Sequence, residues 1–336
     1  MKKLLYCIVL LLSLFFTACV SKENESFIPK EVWNDTDGNP INAHGGGILY
    51  HEGTYYWYGE YKKGATVLHE VADWECYRTD VTGVGCYSSK DLLNWKFEGL
   101  ALSAVDSVGH DLHPSMVVER PKVIYNKKTN KFVMWMHIDS ADYLKAAAGV
   151  AVADTPQGPF KYLGSFRPNE SMSRDQTLFV DEDGTGYQIC SSEENATLHI
   201  NRLTDDYLRP DGTFVRCFEG KYREAPAVFK YQGKYYLLSS GCSGWDPNIA
   251  EMAVADSLMG EWKVLGNPCV GPDAEITFYG QSTYVIPVEP EKGKYIACFD
   301  MWKKTDLQDS RYIWLPLTFG EDGIPLIHWK ESWAFK

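Results

Sequence analysis

Apolar positions along this chain fall in short runs rich in β-branched and aromatic residues, and the runs come in pairs separated by a tight polar turn. Residues 228–231 and 235–239, joined through Gln232-Gly233, give the pattern of a β-hairpin. The same shape recurs over 46–60 with the turn Glu52-Gly53, over 121–137 turning at 127–130, over 177–191 with Asp183-Gly184, and over 282–299 turning near Lys292-Gly293. A second element follows the hairpins, in which a strand of small and β-branched residues meets an Asp turn and then an aromatic. Examples are 86–95 ending in Trp95, 150–160 ending in Phe160 and 252–262 ending in Trp262. These three aromatics are expected to pack between repeats. No segment sustains a 3.6-residue apolar period, so long helices are not expected. Five such units, at a period suited to four strands each, predict an all-β five-bladed β-propeller in one domain over residues 34–336. A polar insertion around 62–80 stretches the first repeat.

A polar residue stands just upstream of each hairpin: His44, Glu119, Asp175, Glu224 and Gln281. In a propeller the starts of equivalent inner strands converge at one end of the central axis, so these five distant residues are expected to share one cleft. Three of them are carboxylates. Cleavage of a glycosidic bond needs a carboxylic acid to protonate the leaving oxygen and usually a second carboxylate across the sugar ring as base or nucleophile. A third carboxylate raises the pKa of the acid by like-charge repulsion. Any one of the three could simply satisfy backbone donors at the channel mouth, but their shared register with the repeat points to chemistry.

Charge narrows the partners. With 45 Asp and Glu against 33 Lys and Arg, the chain has a net charge of −12 and offers no phosphate-binding surface, which argues against nucleic acid. Eleven Trp and 21 Tyr exceed what a core alone requires, and some are expected to stack on sugar rings. At the N-terminus, Lys2 and Lys3 precede an apolar run over 4–16, followed by Thr17-Ala18-Cys19. This reads as a lipoprotein signal peptide over 1–18 with Cys19 as the lipidated residue, and the following acidic stretch suits an outer-membrane protein displayed at the cell surface. Residues 19–33 are expected to form a flexible tether. Of the nine cysteines, Cys7 leaves with the signal and Cys19 carries lipid. Cys76 and Cys86, flanking the insertion, are the expected disulfide, whereas Cys190 and Cys298 sit in strand patterns as small apolar residues. No cysteine or histidine spacing resembles a zinc site.

Several segments carry a specific resemblance. Arg174-Asp175-Gln176-Thr177-Leu178-Phe179 and Arg223-Glu224-Ala225-Pro226 resemble segments of glycoside hydrolase family 43, five-bladed propeller enzymes that act with inversion. Ala43-His44-Gly45-Gly46-Gly47, Glu119-Arg120-Pro121-Lys122, Gly280-Gln281-Ser282-Thr283 and Asp309-Ser310-Arg311-Tyr312 are similar to the exo-β-1,3-galactanase branch of that family. The resemblance spans roughly residues 40–333 and implies Glu224 as general acid and Asp175 as the residue that tunes it. Most of the family has an Asp base where this chain has His44. In the galactanase-like branch a Gln at the position of Gln281 is implied to hold the attacking water, and Glu119 either assists it or binds a sugar hydroxyl. His44, Arg120, Trp245, Trp302 and Arg311 are candidate sugar contacts, and the insertion over 61–85 is the expected wall of an exo-type pocket. The reaction requires no cofactor; a structural cation in the channel is left open. The partner is a β-1,3-galactan or arabinogalactan chain, and the protein is expected to be a monomer. An arabinofuranosidase or galactofuranosidase of the same fold, or a glycan-binding propeller without catalysis, are the competing readings.

Overall fold

The computed structural model describes residues 23–70 and 74–335; the expected signal peptide and Cys19 lie outside the described residues. Five main sheets are arranged in sequence order, antiparallel except for the short strand Cys269–Val270, which pairs in parallel at the edge of the fifth; a two-stranded sheet lies in the insertion of the first. Their innermost strands are His44–His51, Val117–Asn126, Gln176–Val180, Arg223–Tyr231 and Gln281–Glu289. Each packs beside the next, and the fifth returns to the first, so the sheets close into a ring of five blades. The expected all-β propeller is the fold. Helix among the described residues is confined to four short 3₁₀ segments.

The hairpins form where the pattern placed them, and turn chemistry explains why. Glu52-Gly53 and Gln232-Gly233 both have positive φ at each central residue, the geometry that matches the twist of a two-residue hairpin. Apolar side chains fill the gaps between blades. Trp95 is 1% exposed and packs with Trp57 and Trp314, joining the first blade to the fifth. Phe160 packs between the second blade and the first, with its ring 6.1 Å from Tyr58.

Ring closure involves the chain before the first blade. Phe27 is buried, pairs by backbone bridge with Trp333 and stacks on its ring at 4.5 Å. Asn24 already bonds through its amide to Asn94 Oδ1, at 2.7 Å. The expected flexible tether over 19–33 is thus corrected: from Asn24 onward this segment is docked, because Phe27 has an apolar slot among Trp33, Trp314 and Trp333.

The expected Cys76–Cys86 disulfide is also corrected. Both are free buried thiols. Cys86 lies mid-strand between Tyr58 and Gly99, and Cys76 lies on the short strand Cys76–Arg78 opposite His69, so each fills space on its own sheet. Cys190 and Cys298 are buried in strands as expected.

Candidate active site

One end of the ring axis opens into a cavity of about 620 Å³, a size suited to a small ligand. Glu119, Asp175, Glu224 and Gln281 all line it, each at or beside the start of its inner strand. A local backbone device points them there. The inner strands of blades 1, 2, 4 and 5 each carry a register shift just after the polar residue, between His44 and Gly47, Glu119 and Lys122, Glu224 and Ala227, and Ser282 and Tyr284. Arg120 and Ala225, the residues immediately after Glu119 and Glu224, have φ of 52° and 53°. Such bulges re-aim a side chain, and left-handed backbone at a non-glycine residue is strain held in place by its surroundings.

Glu224 is the protonated carboxyl of the site. Burial, and after it the negative charge of Asp175, push its pKa up to about 8 against the opposing pull of Arg120. Asp175 is in turn held by Arg120 Nη2 at 2.9 Å. Glu119 is the opposite case. Burial alone would raise it, but His137 beside it, together with Lys62 and the Tyr143 hydroxyl, outweighs burial and holds it at about 2. Tyr143 donates to Glu119 Oε1 at 2.8 Å, and His137 Nδ1 stands 3.3 Å from Glu119 Oε2. On its other side His137 bonds through Nε2 to the fully buried Asp139 at 2.9 Å. Against burial, these two carboxylates raise the imidazole to about 10, making it a buried imidazolium. Neither His137 nor Asp139 stood out in the sequence.

Gln281 is fully engaged by its neighbours. Its Oε1 accepts from Arg120 Nη2 at 2.5 Å and from Trp302 Nε1 at 2.9 Å, and its Nε2 donates to Glu224 Oε1 at 2.8 Å and to Ser240 Oγ at 3.1 Å. Arg120 and the indole can only donate, so the amide orientation is fixed by chemistry. Both oxygen lone pairs are taken, leaving none for a water unless a donor turns away. Gln281 instead fixes the Oε1 face of Glu224 as an acceptor, which directs the acidic proton to Oε2.

The remaining candidates divide. Trp245 and Trp302 line the pocket, with ring centroids 5.2 Å apart and planes at 76°. Arg120 also borders it but is 5% exposed, and its guanidinium is occupied by Asp175, Gln281 and the Ser282 carbonyl. It positions the carboxylates and is not a free sugar contact. His44 is corrected outright: it is fully buried, stacks on Tyr312 at 5.1 Å and lies 3.2 Å through Nε2 from the Ser310 carbonyl. Burial and the nearby Lys62 charge push its pKa down to about 3, so it is neither base nor sugar ligand. Arg311 is absent from the pocket lining and pairs with Asp309 at 2.6 Å.

Below the pocket the axis is crowded with charge. Lys122 is buried and donates to the Gly45 carbonyl at 2.7 Å, while Asp300 accepts from the Gly45 amide at 2.5 Å. The glycine run exists to admit these groups: a Cβ on Gly45 would stand 2.0 Å from Glu60 Oε1, and one on Gly47 2.4 Å from Lys122 Cδ. Higher up, Glu119, His137 and Asp175 present possible metal-ligand atoms within 4.8 Å of one another. Their charge is already answered by Arg120 on Asp175 and by the protonated His137, so the set is a poor fit for a further cation.

Comparison with known proteins agrees with this geometry. The family model described as glycosyl hydrolases family 43 matches residues 38–325. Among solved structures, a GH43 β-1,3-galactosidase with galactodeoxynojirimycin is 45% identical, with 92% of this chain and 100% of that chain covered and a TM-score of 0.86. An exo-β-1,3-galactanase from Phanerochaete chrysosporium with β-1,3-galactotriose is 36% identical over 93% of this chain and 68% of that one, with a TM-score of 0.82. An exo-β-1,3-galactanase from Clostridium thermocellum is 38% identical over 91% and 66%, with a TM-score of 0.81. No curated protein matches the chain. The family match runs through all five blades and takes in every carboxylate of the pocket, and on that basis this chain belongs to glycosyl hydrolases family 43.

Proposed function

We propose that the protein is an inverting exo-hydrolase that releases galactose from the ends of β-1,3-linked galactan. The substrate reading is supported by the full-length likeness to a β-1,3-galactosidase. The observation that carries the chemistry is Glu224, a carboxyl kept protonated at neutral pH beside an ionised partner. In this reading Glu224 donates its Oε2 proton to the leaving glycosidic oxygen. Asp175 keeps that proton on Glu224, and Arg120 and Gln281 fix the positions of both groups. Glu119 is the ionised carboxylate to which the attacking water is assigned, since two carboxyls driven to opposite protonation states are the usual division between acid and base. Trp245 and Trp302 provide faces on which a pyranose can stack.

Release of galactose from β-1,3-galactan tests the function, and an activated aryl galactoside tests the roles. Glu224→Gln should lose most activity on galactan and recover much of it on the aryl substrate, whose leaving group needs little protonation. Glu119→Gln should lose about 10²-fold in kcat on both. Binding of galactan without turnover by the wild type would favour a carbohydrate-binding propeller. We further propose that Cys19 anchors the protein to the outer membrane at the cell surface. Cys19→Ala should then move it to the soluble fraction on cell fractionation, and a variant still in the membrane fraction would exclude this anchor.

A further inference from the structure

Between strands Thr54–Lys62 and Val81–Ser89 lies an insertion whose Trp74 lines the pocket and whose described residues touch three other blades. Trp74 meets Tyr143 of the second blade edge-on, with ring centroids 5.3 Å apart. On the far side it approaches Gly244 in the loop joining the second and third strands of the fourth blade, where an added Cβ would stand 3.6 Å from the indole. Its neighbour Glu75 is bound by Lys304 of the fifth blade at 2.6 Å, and the same ammonium reaches Asp246 of the fourth at 3.1 Å. The base of the insertion is tied down as well, since the Leu307 amide donates to Thr66 Oγ1 at 2.8 Å. These contacts leave out the third blade. Arg174 and Glu194 border the pocket on that side, and among the described residues no hydrogen bond or ion pair ties the insertion to them.

We propose that Trp74, held by the Glu75–Lys304–Asp246 latch, is an end wall that stops a galactan chain from continuing past its terminal sugar and so restricts attack to chain ends. The proposal rests on the galactanase reading above. A chain bound for cleavage must leave the pocket in one direction only if the other is blocked, and a single indole spanning the second and fourth blades blocks it. The leaving part of the chain then departs over the third blade. The latch charges are partly exposed, with Lys304 31%, Glu75 59% and Asp246 64% accessible, so the wall should weaken with salt.

The test compares β-1,3-galactotetraose with the same tetraose bearing a bulky O3 substituent on its non-reducing terminal galactose. Wild type should cleave the free-ended chain and spare the capped one. Trp74→Ala should raise cleavage of the capped chain at internal bonds by about tenfold, the scale of opening a steric block in a pocket. Lys304→Ala should raise it roughly threefold, as loss of an exposed ion-pair network allows, and Lys304→Arg should restore the wild-type preference. Wild type in 1 M salt should shift in the same direction as Lys304→Ala. If both alanine variants cleave the free-ended chain yet spare the capped one as wild type does, the end wall is wrong. If wild type leaves the free-ended chain intact, it is the galactan reading that fails.

Discussion

Glu224 sits in a place where ionising it is unfavourable, and that one fact links catalysis to stability. Its folded pKa is raised to about 8 from the model-compound value of 4.5. Between those values the folded state binds a proton that the unfolded state releases, so this group's contribution to stability falls as pH rises from 4.5 to 8. Glu224→Gln removes the titration and should raise unfolding stability by about 1–2 kcal/mol at pH 8, a shift reduced by the half-buried carboxyl's access to water, with little gain at pH 4. Thermal melts of the two proteins at both pH values check this; an equal gain at both would mean that packing, and not charge, is responsible. Asp175→Asn removes the neighbouring charge that helps hold the proton, so the alkaline limb of kcat/KM should move to lower pH. An unmoved limb in an active variant would confine Asp175 to binding or structure. His137→Gln acts on the other partner. It removes the cation that depresses Glu119, so the acid limb should move up from near 2, as kcat/KM profiles between pH 3 and 6 would show.

Four of the five inner strands begin at or beside a pocket residue, the exception being the first, which starts at the buried His44; in four of the five blades a register shift follows the start, which makes the blade start the functional element of this protein. The strands, turns and polar starts were legible because hairpin periodicity and turn residues are local. His137 was not, although it lies in a recognised hairpin. Pairing Asn126 with Lys131 and counting outward places Ile138 opposite Glu119, whereas the bulge after Glu119 moves His137 into that position. Gln281 lines the site as expected, but its hydrogen-bond partners are not legible in its own strand, since Arg120 comes from the second blade and Trp302 from the end of the neighbouring strand of the fifth. Arg311 and His44 show the converse: a distinctive motif can serve packing beside a site without entering it. The cysteines follow the same logic, because flanking a loop in sequence says nothing of where two side chains point within their sheets. Thiol titration of the denatured, unreduced domain over 23–335 should count seven free cysteines, and a count of five would restore the bridge.

At the scale of the whole molecule, closure of the ring is what brings distant residues to one axis. Phe27 and Trp333 seal the junction of first and last blades, and the charged column running from Glu60 at the pocket to Lys122 and Asp300 beneath it is reached by blades that are far apart in sequence. With Asn24 docked on the first blade, only residues 20–23 separate Cys19 from the folded domain, a span of at most about 18 Å fully extended. A lipid anchor at Cys19 would therefore hold the propeller close to the membrane. The central claim is that the carboxylates at this axis cleave a terminal β-1,3-galactosyl bond with inversion. The most direct measurement is the proton NMR spectrum of β-1,3-galactotriose in the first minutes of reaction, before the released sugar mutarotates. Free galactose should appear first as the α anomer, with galactobiose as the partner product; galactose appearing first as the β anomer, or an intact trisaccharide, would contradict cleavage with inversion at this site.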